Sequence, residues 1–241
     1  MKPFLNLNLI IASLLLTFCS TKQDRKFTQN DTITIIGDKT SGSQITEIFV
    51  DSLNIGKKGQ CKIELTKYKK HNNVYAVIGF YTKKLNFWYI RNSYTYEGTI
   101  VTDFDPNISD FNNDGLNDIT IISGEATRGA NQVRRLFIYD EQQHKLISII
   151  NSQGYPNISF NKKLNCIDAF TIYGSSSATD FAKIVGDSLK TFASIENGVD
   201  FRTIYENDEN GIKKEIYRIP NKEKDINEVI IRHNNYKPLE K

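Results

Sequence analysis

The chain has 241 residues, of which 39% are hydrophobic and 24% charged, so it can form one large β domain or two small ones. Its formal charge of +3 reflects 31 basic and 28 acidic residues, a balance that excludes a strongly basic nucleic-acid-binding surface. Abundant Tyr and Phe, together with many turns rich in Asn and Gly, indicate mostly β structure.

The N-terminus has the features of an export signal. Lys2 precedes the apolar run 9–16, which is shorter than the ~20 residues that span a bilayer. Cys19 follows this run, which predicts a lipoprotein signal peptide over residues 1–18 and lipidation of Cys19. Residues 19–31 are polar and aperiodic, as expected of a flexible lipid-anchored tether. The alternative is an ordinary cleaved signal in which Cys19 has no role.

Residues 32–241 are predicted to form a single β domain. Short alternating or β-branched runs recur at a spacing of about 8–12 residues, which predicts an all-β antiparallel sandwich or open barrel of hairpins. The predicted strands include residues 32–36, 45–50, 61–68, 74–81, 85–90, 119–122, 133–139 and 228–232, and residues 92–98 and 174–179 are predicted loops. The aromatic run 87–89 is predicted to lie in the core, with a ligand platform as the alternative.

Two cysteines remain in the predicted domain. Cys61 and Cys166 both lie in strand-like runs, where each shares the parity of apolar neighbours. Export permits a disulfide between them, and separate burial of two free thiols is the alternative. The three histidines have no ligand spacing to these cysteines or to one another, so the sequence shows no zinc site.

The loop at residues 110–118 has the spacing of a calcium site. Acidic or amide side chains occupy its positions 1, 3, 5 and 9, and Gly115 occupies position 6, which matches the first part of the EF-hand pattern. Calcium takes six to eight hard oxygen ligands, which alternate residues of a tight turn can supply. The predicted ligands are the side chains of Asp110, Asn112, Asp114 and Asp118 and the backbone carbonyl of Leu116. The alternative is an Asp-, Asn- and Gly-rich turn that binds nothing.

The residues that follow this loop show which kind of calcium loop residues 110–118 resemble. Position 12 is Ile121 where a full EF-hand has a bidentate Glu, and the β-branched run 119–122 indicates a strand where an EF-hand has a helix. The loop therefore resembles the shortened, strand-flanked calcium loop of FG-GAP and integrin-type repeats.

A wider resemblance covers residues 100–219. After the loop, a strand at 136–140, a turn into 145–147, the residues 172–174, a turn at 186–189 and the residues 195–196 follow in order. This order is similar to that of a family of small exported calcium-binding β proteins, which share a fold with the periplasmic inhibitor of invertebrate-type lysozyme. The resemblance implies a β-sandwich stabilised by Ca²⁺ and without enzyme activity.

The same resemblance supplies the alternative function. Such inhibitors insert a loop of Ser-Gly-x-x-Tyr type into the lysozyme cleft. The corresponding loop here, residues 174–181, contains Ser175, Ser176 and Ser177 but neither a Ser-Gly pair nor a Tyr. The resemblance therefore makes these serines the candidate inhibitory residues and a lysozyme, which is a glycosidase, the candidate protein partner.

No combination of residues indicates catalysis. The three histidines are scattered and no G-x-S-x-G pattern is present, so the sequence offers no candidate triad. We therefore expect a non-enzymatic, calcium-binding lipoprotein, exported and lipid-anchored in the bacterial cell envelope. The outer membrane is the expected location, with the protein facing either the periplasm or the cell surface.

Overall fold

A computed structural model describes residues 42–98, 103–221 and 229–237. The predicted signal peptide, the tether and the predicted strand at 32–36 lie outside these residues. The described strands are β1 (Gln44–Asp51), β2 (Cys61–Lys70), β3 (Asn73–Lys84), β4 (Phe87–Gly98), β5 (Asn107–Ser109), β6 (Asp118–Ala126), β7 (Asn131–Asp140), β8 (Lys145–Ser148), β9 (Ser159–Asn161), β10 (Cys166–Tyr173), β11 (Ser176–Val185), β12 (Ser188–Asn197), β13 (Phe201–Asn207) and β14 (Lys213–Pro220). A 3-10 turn at Ser152–Gly154 lies between β8 and β9.

The strands form three antiparallel sheets. The first sheet has the order β1-β2-β3-β4, the second has the order β5-β6-β7-β8, and the third has the order β14-β13-β12-β11-β10-β9. Neighbouring strands in each sheet are consecutive in the sequence, so the sheets are built from hairpins. The prediction of an all-β antiparallel sandwich is therefore confirmed, and the sheets pack as layers.

The first sheet buries one face. In β2, Cys61, Ile63 and Leu65 are buried, and the residues between them are partly exposed. This alternation is typical of a strand that is covered on one side, because successive side chains point to opposite faces. The buried face packs against Ile119 and Phe137 of the second sheet to form the first hydrophobic core.

The second sheet is the middle layer and is buried on both faces. Its strand β7 has four consecutive buried apolar residues, 136–139. Phe137 and Tyr139 belong to the core against the first sheet, whereas Leu136 and Ile138 belong to a second core with residues of the third sheet. A continuous apolar run is what a strand needs when both of its faces are covered.

The segment 229–237 covers the outer face of the third sheet. Tyr236 is buried there, with its ring centroid 5.7 Å from that of Phe181 and 5.8 Å from that of Phe192. Arg232 forms an ion pair with the buried carboxylate of Asp168 in β10. The predicted last strand, 228–232, is wrong over its described residues, which contain no strand.

The predicted loop at 92–98 is also wrong, because β4 continues through these residues. The polar side chains of these residues are compatible with a strand, because they form hydrogen bonds with β8, the edge strand of the second sheet. Asn92 Nδ2 and Tyr94 Oη each donate a hydrogen bond of 2.8 Å to the Leu146 carbonyl. Similarly, the predicted loop at 174–179 is mostly strand, because β11 begins at Ser176.

Two further predictions are resolved by burial. Cys61 and Cys166 are buried free thiols, so the alternative of separate burial is confirmed and a disulfide is wrong. The predicted core position of residues 87–89 is wrong, because Phe87 is 66% exposed and Tyr89 is 42% exposed.

Within the described ranges, no helix combines the length and the apolar character needed to cross a membrane.

Candidate metal centre

The loop 110–118 connects β5 to β6 and is closed by its own carboxylates. Asp110 Oδ2 accepts a hydrogen bond of 2.9 Å from the Gly115 amide, and Asp110 Oδ1 accepts bonds from the amides of Asn113 and Asp114. Asn113 and Gly115 have φ values of 62° and 86°, in the left-handed region that Asn and Gly tolerate best. Asp110 and Gly115, at positions 1 and 6 of the sequence pattern, therefore stabilise the turn itself, as does Asn113, which lies outside the pattern.

Asp118 ends the loop and is fully buried. Its Oδ2 accepts a hydrogen bond of 2.8 Å from the Phe111 amide, and its Oδ1 accepts one of 2.8 Å from the Tyr139 amide. One carboxylate thus joins the start of the loop to the neighbouring strand β7.

The electrostatic environment of Asp118 is unfavourable for a negative charge. Burial raises the pKa of Asp118 to about 7, although its two backbone hydrogen bonds oppose this shift. The negative charges of Asp114 and Asp110 raise the pKa further. These three carboxylates therefore interact, and a cation near them would relieve the repulsion.

The remaining predicted ligands lie in the same turn. Asn112 Nδ2 donates a hydrogen bond of 2.8 Å to Asp114 Oδ2, and Asp114 Oδ1 accepts one of 2.8 Å from the Leu116 amide. In the part of the chain that the structure describes, no group of three or more His, Cys, Asp or Glu side chains is arranged to hold a metal. Carboxylate and amide oxygens are suitable ligands for a hard divalent cation. Several of these oxygens already accept hydrogen bonds from backbone amides of the loop.

A contact that sequence reasoning missed connects this loop to the first sheet. The Gly56 amide donates a hydrogen bond of 2.8 Å to the Asn117 carbonyl, and Asn117 Nδ2 donates one of 3.0 Å to the Asn54 carbonyl. Asp51 Oδ1 in turn accepts a bond of 2.9 Å from the Ile55 amide and so fixes this connection. The spacing of Asp51 and Asn54 predicts an Asx-type turn, but it does not reveal that this turn contacts Asn117 of the loop.

The loop is open to solvent on one side. A polar cleft of about 460 Å³ lies next to it and is lined by residues of the loop and of the third sheet, among them Asp110, Asn117, Ser159 and Lys162. Of the predicted ligands, Asp110 lines this cleft.

The serines of the candidate inhibitory loop are divided between a turn and a strand. Ser175 is exposed in the turn before β11, Ser176 is half-buried, and Ser177 is buried. Ser177 Oγ donates a hydrogen bond of 2.6 Å to the Val229 carbonyl. Ser177 is thus held inside the protein, so lysozyme inhibition stays a prediction that no contact described here favours. The predicted lipidation site, Cys19, lies outside the described residues.

Comparisons with known proteins add little. No family model matches the chain, and no curated protein matches it. Among solved structures, the chain is similar to one described as a Xanthomonas type IV secretion system related protein, with 10% sequence identity and a TM-score of 0.47. The alignment covers 73% of this chain and 98% of that chain. A similarity of this size supports no inference about function.

Proposed function

We propose that this chain is a non-enzymatic, calcium-binding lipoprotein of the bacterial cell envelope, in which the ion has a structural role. The observation that supports the proposal most is the environment of Asp118. A fully buried carboxylate lies close enough to two other carboxylates that they raise its pKa, in a loop with the spacing of a calcium site. Without a cation, ionisation of Asp118 near neutral pH opposes folding.

Each predicted ligand would contribute a different group to the calcium site. Asp110, Asn112 and Asp114 would supply side-chain oxygens, Leu116 would supply its carbonyl, and Asp118 would supply a buried charge. A bound calcium ion would contribute positive charge that offsets these carboxylates. Because the loop contacts β7 and the connection at residues 54–56, its stabilisation would also hold the first two sheets together.

Thermal unfolding with calcium and with chelator tests the calcium site. Calcium modules outside the cell bind with Kd of about 10⁻⁴–10⁻³ M, so about 1 mM calcium should raise the Tm by roughly 1–6 °C. Asp114→Ala should abolish most of this rise, because Asp114 is an exposed loop residue whose carboxylate is a predicted ligand.

Asp208→Ala is the matched control. Asp208 lies in another Asp- and Asn-rich turn, where its Oδ1 accepts hydrogen bonds of 2.9 Å from the amides of Asn210 and Ile212. This variant should lose some stability but keep the full calcium response. An Asp114→Ala protein that melts like the wild type in both calcium and chelator would refute the calcium site.

The envelope location needs a separate experiment, since it depends on Cys19. Palmitate labelling of the exported protein should be abolished by Cys19→Ser. A processed wild-type protein without lipid on Cys19 would refute the anchor and leave the calcium proposal untouched.

A further inference from the structure

The hairpin of β3 and β4 ends in an exposed apolar tip, residues 83–89. Leu85 is 83% exposed, Phe87 is 66% exposed and Tyr89 is 42% exposed. The tip extends beyond the neighbouring strand, because Cys61 at the start of β2 pairs with Thr82 of β3. Contiguous exposed apolar residues on a soluble protein usually mark an interaction site.

The turn itself does not require a leucine. Leu85 and Asn86 are its two central residues, with φ values of 48° and 66°. Two-residue hairpin turns with positive φ at both positions favour Asn, Asp or Gly, and a γ-branched side chain gains nothing from this backbone. The most exposed position of the tip therefore carries an apolar side chain that hairpin formation does not explain.

The apolar tip is flanked by lysines, and the acidic residue that reaches the adjacent connection from elsewhere in the chain is Glu141, which forms an ion pair with Lys57. Lys83 and Lys84 lie on the tip, and the exposed Lys58 lies in the adjacent connection, whose Gln60 carbonyl accepts a hydrogen bond of 2.8 Å from the Lys83 amide. None of these three lysines forms an ion pair with another described residue. From residue 57 to residue 91 the only acidic residue is Glu64, whose carboxylate forms an ion pair with Lys62.

Trp88, the only tryptophan of the chain, lies on the outer face of the tip. The Nζ atoms of Lys62 and Lys83 lie 5.5 Å and 5.6 Å from the centroid of its ring. Its indole N–H donates no hydrogen bond to any described residue. A half-buried tryptophan with a free N–H, next to lysines, is typical of residues at the boundary between a bilayer and water.

We propose that the hairpin tip is a membrane-docking element that inserts Leu85 and Phe87 into the interface of a bilayer containing anionic phospholipids. The lysines would contact lipid phosphates, and Trp88 and Tyr89 would lie at the level of the headgroups. Leu85 and Phe87 have no polar group with which to bind sugar hydroxyls, which favours a bilayer over a carbohydrate as the ligand.

A lipid anchor at Cys19 would be compatible with this orientation. β1 begins at Gln44, which pairs with Lys69 at the end of the first sheet opposite the tip. The twelve residues of β3 span about 40 Å. Residues 20–43 could reach up to about 80 Å if extended, so the anchor and the tip could engage the same bilayer.

Trp88 fluorescence tests the proposal directly, because no other tryptophan contributes to it. The full chain carrying Cys19→Ser would be mixed with vesicles of phosphatidylcholine, with and without phosphatidylglycerol. With the anionic vesicles, we expect the emission to shift to shorter wavelength and to be quenched by phospholipids brominated on their acyl chains. Quenching reports the depth of the tip, whether or not residues 1–18 also contact the vesicle.

Leu85→Asn is the decisive variant. Asn suits the left-handed backbone, so the Tm should be unchanged or higher, while the lipid concentration needed for half-maximal quenching should rise by roughly tenfold. Ile212→Asn is the matched control, since Ile212 is 64% exposed in the turn between β13 and β14, and it should change nothing. Lys84→Gln should weaken quenching by about fivefold on anionic vesicles only.

Several results would overturn the proposal. One is the absence of any emission change with anionic vesicles, and another is an equal response of Leu85→Asn and Ile212→Asn. An emission shift caused by soluble oligosaccharides but not by vesicles would indicate a sugar site, and a shift that grows with protein concentration alone would indicate self-association. The measurements are repeated in chelator, so that failure of the calcium proposal and failure of this one can be distinguished.

Discussion

Asp118 is the residue at which the loop 110–118 and strand β7 are joined. Its two oxygens accept hydrogen bonds from the amides of Phe111 and Tyr139, both inside the protein. Asp118→Ala should lower the free energy of unfolding by roughly 2–4 kcal/mol with or without calcium, because it leaves two buried N–H groups without partners. Urea denaturation in chelator measures this loss, and a loss seen only in calcium would contradict it.

His233 gives the protein a sensitivity to acid. Arg202 Nε donates to Asn197 Oδ1, so the Asn197 amide nitrogen, 2.9 Å from His233 Nε2, donates to a neutral imidazole. Burial, assisted by the charge of Arg202, lowers the pKa of His233 from 6.5 to about 4.

This shift sets the direction of the pH dependence. Between pH 6.5 and pH 4 the unfolded chain binds a proton at His233 that the folded protein does not bind. His233 should therefore contribute a loss of stability of roughly 1–2 kcal/mol as the pH is lowered through this window, after allowance for partial exposure of the ring. Asp118, whose pKa is raised, contributes in the opposite direction over the same range. Urea denaturation of the wild type and of His233→Gln at both pH values isolates this contribution, because the variant should lose less stability, or gain more, on acidification than the wild type does. A variant with the same pH dependence as the wild type would assign the effect to other groups.

At the scale of elements, the connection between β1 and β2 supports the candidate metal loop. Gly56 has a φ of 55°, and a Cβ there would lie 3.0 Å from Cys61 Sγ and 3.2 Å from the Tyr139 ring. Gly56→Ala should therefore cost roughly 2–3 kcal/mol of stability, since strain and overpacking add. Gly59→Ala is the control, because its φ is 70° but nothing lies within 4 Å, so strain alone should cost about 1 kcal/mol. Urea denaturation compares the two, and equal losses would show that the close contact is unimportant.

The elements also show where sequence patterns suffice. Strands β2 and β7 were predictable from local sequence. Alternating apolar residues in β2 indicate a strand with one buried face, and the continuous apolar run in β7 indicates a strand with two buried faces. The second half of β4 was not predictable, because its polar side chains bond to β8, which is distant in the sequence. The apolar run 229–231 suggests a strand, but Val229 is buried and contacts Ser177 of the third sheet without strand pairing, which the local pattern does not reveal.

The candidate site was predictable only in part for the same reason. The spacing of Asp110, Asp114 and Gly115 identifies the turn, because these contacts lie within the loop. The burial of Asp118 and the contact between Asn117 and Gly56 depend on two sheets coming together. Residues 87–89 were misjudged because aromatic content alone does not distinguish a core strand from an exposed tip.

At the scale of the whole molecule, the middle sheet is shared by two cores. Phe137 packs towards the first sheet and Leu136 packs towards the third. Alanine at either position should cost roughly 2–5 kcal/mol and should lower one common unfolding midpoint, because neither core can form without β7. Trp88 fluorescence and far-UV circular dichroism would follow the transition, with Ile150→Ala, at a site that is 67% exposed, as the control.

Coincident midpoints from the two probes would support a single cooperative unit, as the prediction of one β domain requires. Two separated transitions would contradict it and would show that the first sheet can unfold while the third remains folded.

The position of the segment 229–237 bears on how the protein is made. This segment follows every described strand in the chain, yet Tyr236 covers Phe181 on the third sheet. The outer side of that sheet can therefore be covered only after residue 236 has been synthesised and, under the proposed export, has crossed the membrane. A chain truncated before this residue would expose apolar residues of the third sheet that Tyr236 otherwise covers, and chaperones and proteases would meet that surface.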